Sequence, residues 1–198
     1  MAIIVNKEEK RRAIALSCSE LLLKYGISDL TISQIARTAG VGKGTIYEYF
    51  ENKEDIVFEI ITTYMMEYEV KLFGIIGESQ TTKEKVFHFL SLLFSDENSK
   101  RLNLYREFLA ISLTSGTEEM AAFSAGCKRR FETILQQIID EAVTRGEIRA
   151  EASRLISAIL IFEKGIVVDS KVSALDAQKE IRDFLDVLFE LIEIEGAV

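Results

Sequence analysis

The chain has 198 residues, of which 48% are hydrophobic and 28% charged, and its net charge is −8. That length buries a substantial core without help from disulfides or metals, and the composition excludes a disordered chain. Two cysteines, Cys18 and Cys127, cannot build a disulfide framework, and no CxxC motif is present.

Proline is absent, so helix ends must be marked by glycine and capping side chains. All-β and α/β folds carry glycine- and proline-rich turns at short intervals, and this chain does not. It reads as all-α. The apolar stretch Met1–Val5 is too short for a secretory signal and has its charges on the wrong side. The longest apolar run, 158–162, is stopped by Glu163 and Lys164, well short of a membrane span. A cytoplasmic location without a membrane partner is expected.

In chain order, Ile14, Cys18, Leu21, Leu22 and Tyr25 recur at helical spacing, and Gly26 ends that helix. Thr31 stands as an N-cap with Gln34 in the capping-box position, opening a two-turn helix with Ile32, Ile35, Ala36 and Ala39 that Gly40 closes. A second short helix follows Val41 and carries Thr45, Ile46, Tyr47 and Phe50. Asn52 then caps a longer amphipathic helix with Glu54 and Asp55 in its first turn. Beyond Gly77 the spacing predicts helices at roughly 82–95, 99–114, 117–145, 150–170 and 174–195, with breaks at Gly116 and Gly146. The total is about nine helices.

Charge is unevenly placed. Residues 1–47 hold seven Lys/Arg and four acids, a net +3, while the remainder holds 17 basic and 28 acidic side chains, a net −11. A mildly basic head on an acidic body suits a DNA-binding domain joined to a regulatory one.

Residues 31–53 form a helix, a tight turn around Gly40 and a second helix, with Gly42, Lys43, Gly44, Thr45, Tyr47 and Glu48 at the exposed start of the second. The pattern Ile14, Leu22, Gly26, Thr31, Ile35, Ala36, Gly40, Val41, Lys43 through Tyr47, Tyr49, Phe50, Lys53 and Glu54 resembles the N-terminal domain of TetR-type transcriptional regulators. The resemblance covers about the first 60 residues. It implies a three-helix helix-turn-helix domain over 1–50, joined to a helical-bundle effector and dimerisation domain over 51–198.

It also implies residue roles. Thr31 caps the first motif helix with its backbone amide aimed at a phosphate. Lys43 reaches guanine O6 and N7, and Thr45 meets a thymine methyl or a phosphate. Tyr47 and Tyr49 lie near the DNA backbone, Tyr47 as a phosphate donor, and Lys53 is a phosphate clamp. Gly42 stands where serine is frequent and lacks its hydroxyl. Thr31 also reads as a plain cap, and Tyr49 as a packing aromatic.

Other chemistry is sparse. His88 is the single histidine, so paired-His metal sites and most nucleophile–base pairs are unavailable, and no enzyme, cofactor or metal is expected. Cys127 precedes Lys128, Arg129 and Arg130, which would lower a thiol pKa and permit redox sensing.

The aromatics Tyr64, Tyr68, Phe94, Tyr105, Phe108, Phe123 and Phe162 suit an apolar effector cavity between helices, although each also reads as core. Glu107 or Glu163 would favour a cationic effector. In the last two helices, Ile159, Ile166, Leu185, Leu188 and Ile192 make wide apolar stripes expected to form a four-helix dimer interface. The expected function is a homodimeric repressor on a pseudo-palindromic double-stranded DNA operator, released by an apolar or cationic small molecule. The alternatives are control by a protein partner or thiol oxidation, or a helical interaction protein without DNA binding.

Overall fold

The computed structural model describes residues 7–194, so Met1–Val5 lies outside the described residues. Ten α-helices are present among them: α1 (Lys7–Ser17), α2 (Ser19–Asp29), α3 (Ile32–Thr38), α4 (Lys43–Tyr49), α5 (Lys53–Glu78), α6 (Thr82–Ser91), α7 (Ser99–Ser115), α8 (Glu118–Thr144), α9 (Ile156–Val172) and α10 (Ala177–Ile192). The described residues form no β-sheet, only one isolated antiparallel bridge between Ile148 and Glu193. No described helix is long and apolar enough to cross a membrane. The chain is all-α, as its composition implies.

Two compact units divide the helices. The first takes the chain through Glu69 together with Asn103–Thr117, and the second takes Val70–Leu102 and Glu118 onward. Helices α5 and α7 therefore contribute residues to both.

In the first unit, Ile14, Cys18, Leu22, Ile35, Ile46, Phe50, Ile56, Ile60 and Leu104 share one core. The helix expected to run unbroken to Gly26 instead starts at Lys7 and is interrupted at Cys18. The hydroxyls of Ser17 and Ser19 donate to the carbonyls of Ile14 and Leu16, each at 2.7 Å, and compete with the backbone ladder there. Gly26 has φ 69° and ψ 171°, a conformation open to glycine, and it breaks α2 at the expected point.

In the second unit, α6 packs against α8 and α10, and α9 packs against α8 and α10. Helix α6 opens with a capping box, Thr81 Oγ1 accepting from the Glu84 amide at 3.1 Å and Glu84 Oε2 accepting from the Thr81 amide at 3.1 Å. It stops at Ser91, short of the expected residue 95, and two 3₁₀ turns follow at Leu92–Phe94 and Asp96–Asn98. Asn98 causes the change. Its fully buried side-chain amide donates to the Leu92 carbonyl and to Ser95 Oγ, both at 2.8 Å, replacing α-helical bonds. Helix α10 begins at Ala177 because Asp176 Oδ1 accepts from the Lys179 amide at 3.1 Å and Ala174 sits at φ 53°.

The turn between α3 and α4 is built on Gly40. This residue has φ 66°; its amide donates to the Arg37 carbonyl at 3.3 Å, and the Val41 amide donates to Ala36 at 2.9 Å. These two bonds close α3 with the double-bonded glycine terminus of a Schellman motif. A Cβ at Gly40 would meet nothing within 4 Å, so the conformation alone demands glycine. Gly40→Ala is expected to cost about 1 kcal/mol of stability from left-handed strain, read as a lower urea midpoint with an unchanged helical spectrum.

Candidate nucleic-acid interface and effector region

Helix α4 offers its N-terminal face outward. Ile46 is fully buried and Phe50 nearly so, while Gly42, Lys43, Gly44, Tyr47 and Glu48 are exposed. Lys43 and Tyr47 lie one turn apart and share a face. Tyr47 is 60% exposed, an unusual setting for a large aromatic ring. Thr45 is half-buried on the flank. Gly42 is the N-cap of α4, without a side-chain bond to the helix start.

Thr31 takes the cap, one of the two readings its position allows. Its amide donates to Gln34 Oε1 at 2.9 Å, its hydroxyl donates to the same oxygen at 2.7 Å, and Oγ1 accepts from the Gln34 amide at 3.3 Å. The capping box thus occupies the amide that was to face a phosphate. Thr31 in this geometry is a cap.

Tyr49 is half-buried and packs on the head core, with Lys7 and Lys10 at its ring. Both the packing reading and a surface position are realised in one side chain. Asn52 caps α5 as expected, Oδ1 accepting from the Asp55 amide at 2.8 Å, and Asp55 Oδ2 reciprocates by accepting from the Glu51 amide at 3.0 Å. Lys53 occupies the first turn of α5 and is half-buried.

Arg11 holds this surface in place. Arg11 donates through Nε to Glu59 Oε2 at 2.8 Å and through Nη1 to the Tyr49 carbonyl, and its guanidinium lies 4.4 Å from the Phe50 ring centroid. It ties α1 to the end of α4 and to α5. Local helical spacing does not encode a partner 48 residues away.

The seven aromatics expected around an effector divide between the units: Tyr64, Tyr68, Tyr105 and Phe108 in the first, Phe94, Phe123 and Phe162 in the second. Tyr64 is a head residue by its contacts, packing on the head core and donating its hydroxyl to Ser19 Oγ at 3.1 Å. Tyr68 and Phe108 are buried; Tyr105, Phe94 and Phe123 are half-buried. Phe162 stacks on Phe184 at 4.1 Å between centroids and 20° between planes, joining α9 to α10.

The stripes expected at a dimer interface prove to face inward in four of five positions. Ile159, Ile166, Leu185 and Ile192 are buried inside the protomer's own second unit, and Leu188 is half-buried. Two wide apolar faces exist on these helices, and the protomer core takes the more continuous one. The face left outward carries Ile161, Val168 and Val172 on α9 and Val187 and Leu191 on α10, all exposed.

Ionisable groups in the second unit narrow the chemistry. Burial pushes the Cys127 thiol up despite nearby Arg130 and Lys164, so the basic residues do not produce the reactive thiolate expected of a redox sensor. His88 stacks edge-on against Phe87 at 5.6 Å. Burial raises the Glu163 carboxyl to about 7, with Lys164 opposing it, so at neutral pH it is not the fixed anion a cationic effector needs.

Helix-turn-helix geometry on a helical body defines a class of DNA-binding regulators, and the comparisons agree. Residues 19–60 match the family model described as bacterial regulatory proteins, tetR family. The fatty acid metabolism regulator protein of Bacillus subtilis (strain 168) is 29% identical over 161 residues, covering 79% of each chain. A crystal structure of the transcriptional regulator FadR from Bacillus subtilis in complex with stearoyl-CoA superposes with a TM-score of 0.70 at 27% identity, covering 89% of this chain and 96% of that one. A TetR-family regulator from Cytophaga hutchinsonii shares the fold, with a TM-score of 0.81 at 16% identity over 97% of this chain and 99% of that one. Residues 19–60 therefore match the DNA-binding region of the tetR family, and the chain as a whole is similar to regulators of that family in sequence and fold.

A carboxyl neutral up to about pH 7 in the native protein, but ionising in the ordinary range when unfolded, binds more protons folded than unfolded between those values. Stability therefore falls as pH rises through that window. Glu163→Gln is expected to flatten the decline and to exceed the parent by about 1–3 kcal/mol at about pH 8, measured by urea unfolding across pH.

Proposed function

We propose that the chain is a homodimeric repressor of a pseudo-palindromic operator, released by a long-chain fatty acyl-CoA thioester. Residues 1–50 read DNA and residues 51–198 receive the effector and the second protomer, although the packed first unit reaches further along the chain. The observation that supports DNA reading is the outward face of α4, where Lys43 and Tyr47 stand exposed one turn apart over a buried Ile46. Lys43 specifies through a base edge; Tyr47 and Lys53 position through phosphates. Thr45 and Tyr49 flank the same surface, and Gly42 lets the backbone approach closely.

The support for the effector class is the likeness to the Bacillus subtilis fatty acid regulator and to the FadR structure that holds stearoyl-CoA. An acyl chain is the apolar ligand that partly buried aromatics of the second unit such as Phe94 and Phe123 suit. Release requires that the effector favour a conformation incompetent for DNA. Helices α5 and α7 are the candidates to carry that preference, since each is continuous through residues of both units. Thiol control is disfavoured by the raised Cys127 thiol.

Operator fragments selected from random duplexes by the full-length protein supply the test. Tyr47→Ala is expected to weaken all duplexes alike, whereas Lys43→Ala costs about 1–3 kcal/mol and relaxes preference at one base pair per half-site. Micromolar stearoyl-CoA is expected to release the operator from the parent protein. Full operator binding at saturating acyl-CoA, for a range of chain lengths, would overturn the effector class while leaving DNA reading intact.

The second protomer is assigned to the outward face of α9 and α10. Leu191→Glu places a charge on that face, where Leu191 is 65% exposed and its loss leaves the protomer core untouched. The variant is expected to sediment as a folded monomer and to lose operator affinity, because two half-sites must be held together.

A further inference from the structure

Two lysines of α1 have no part in that reading. Lys7 and Lys10 each bring Nζ to 6.0 Å from the centroid of the Tyr49 ring. Among the described residues, neither ammonium has an ion-pair partner. Several lysines of the second unit are paired instead: Lys71 with Glu97, Lys83 with Asp186, Lys128 with Glu132 and Lys179 with Asp183.

The ring itself does not satisfy these groups. A separation of about 6 Å is the outer limit of cation–π attraction, and a ring face offers no oxygen acceptor for an ammonium's three donors. Two like charges at one ring also repel each other, which an anion seated between them would relieve. The carboxylate of Glu59 is held by Arg11. Exposed Glu8 and Glu9 follow Lys7 on the same helix and temper the local charge.

Position gives the cations a direction. Arg11 fixes α1 on the Tyr49 carbonyl and the Phe50 ring, and Lys7 lies one turn before Arg11 with Lys10 beside it. Their shared face therefore meets the end of the helix that carries Lys43, Thr45 and Tyr47. We propose that Lys7 and Lys10, gathered at Tyr49, form a phosphate-binding patch that grips the DNA backbone next to the bases read by α4. This patch rests on the DNA-binding function proposed for α4. It adds grip without sequence preference, since phosphate contacts position and do not specify.

Salt titration of DNA binding tests it, using a selected operator duplex and an unrelated duplex of equal length with the full-length protein. The Lys7→Gln/Lys10→Gln double variant is expected to keep the parent's thermal midpoint and to bind both duplexes more weakly. Its plot of log affinity against log salt is expected to be shallower by about 0.9 for each phosphate no longer neutralised, close to 2 for each bound protomer. Lys7→Arg/Lys10→Arg, which keeps both charges, is expected to restore the slope. A folded Gln variant with the parent's slope on both duplexes overturns the patch while DNA reading stands. A parent protein that binds neither duplex overturns the DNA reading and the patch with it.

Discussion

Helix α4 has seven residues, and two turns of helix are not stable alone in water. Everything this protein does at DNA depends on tertiary contacts that hold those two turns in place. Ile46 and Phe50 anchor the inner face in the head core, and the Gly40 turn sets the angle at which α4 leaves α3. Arg11 completes the arrangement from outside the motif, holding the last carbonyl of α4, the following ring and a carboxylate of α5 at once. With the inner face fixed, the outer face is free to carry Lys43 and Tyr47 without any structural duty.

The two units use their charges in opposite ways. In the second, Lys71, Lys83, Lys85, Lys128 and Lys179 pair with neighbouring carboxylates, and Arg145 is held by Glu147 at 2.5 Å, which in turn accepts from Thr82 at 2.5 Å. Such exposed pairs contribute little stability each, but they neutralise part of the positive charge of an acidic body. In the first, the cations on α1 gather around an aromatic ring instead. A repressor needs this contrast: the surface that meets DNA must offer positive charge, and the body must not compete for the same polyanion.

The outward apolar face of α9 and α10 follows from the same economy of surfaces. Each of these helices is apolar around much of its circumference, so a single protomer cannot cover it all. The protomer buries Ile159, Ile166, Leu185 and Ile192 and leaves Ile161, Val168, Val187 and Leu191 in solvent. These exposed apolar side chains suit the second protomer proposed for this face.

Periodicity and capping chemistry determined a good deal from the sequence alone. The all-α class, the helix-turn-helix with its glycine turn, the caps at Thr31 and Asn52, and the order of helices through the body are local properties, set by residues within about four positions of one another. Tertiary structure decided what local spacing does not encode. Helical periodicity shows that α9 is apolar on two sides, yet which side meets the protomer's own core depends on how α6, α8 and α10 pack. Arg11 finds Glu59 across 48 residues of chain, Tyr64 belongs to the head because Ser19 lies beneath its hydroxyl, and Asn98 ends a helix because it is buried. Each outcome turns on a partner or a packing environment that only the folded chain supplies.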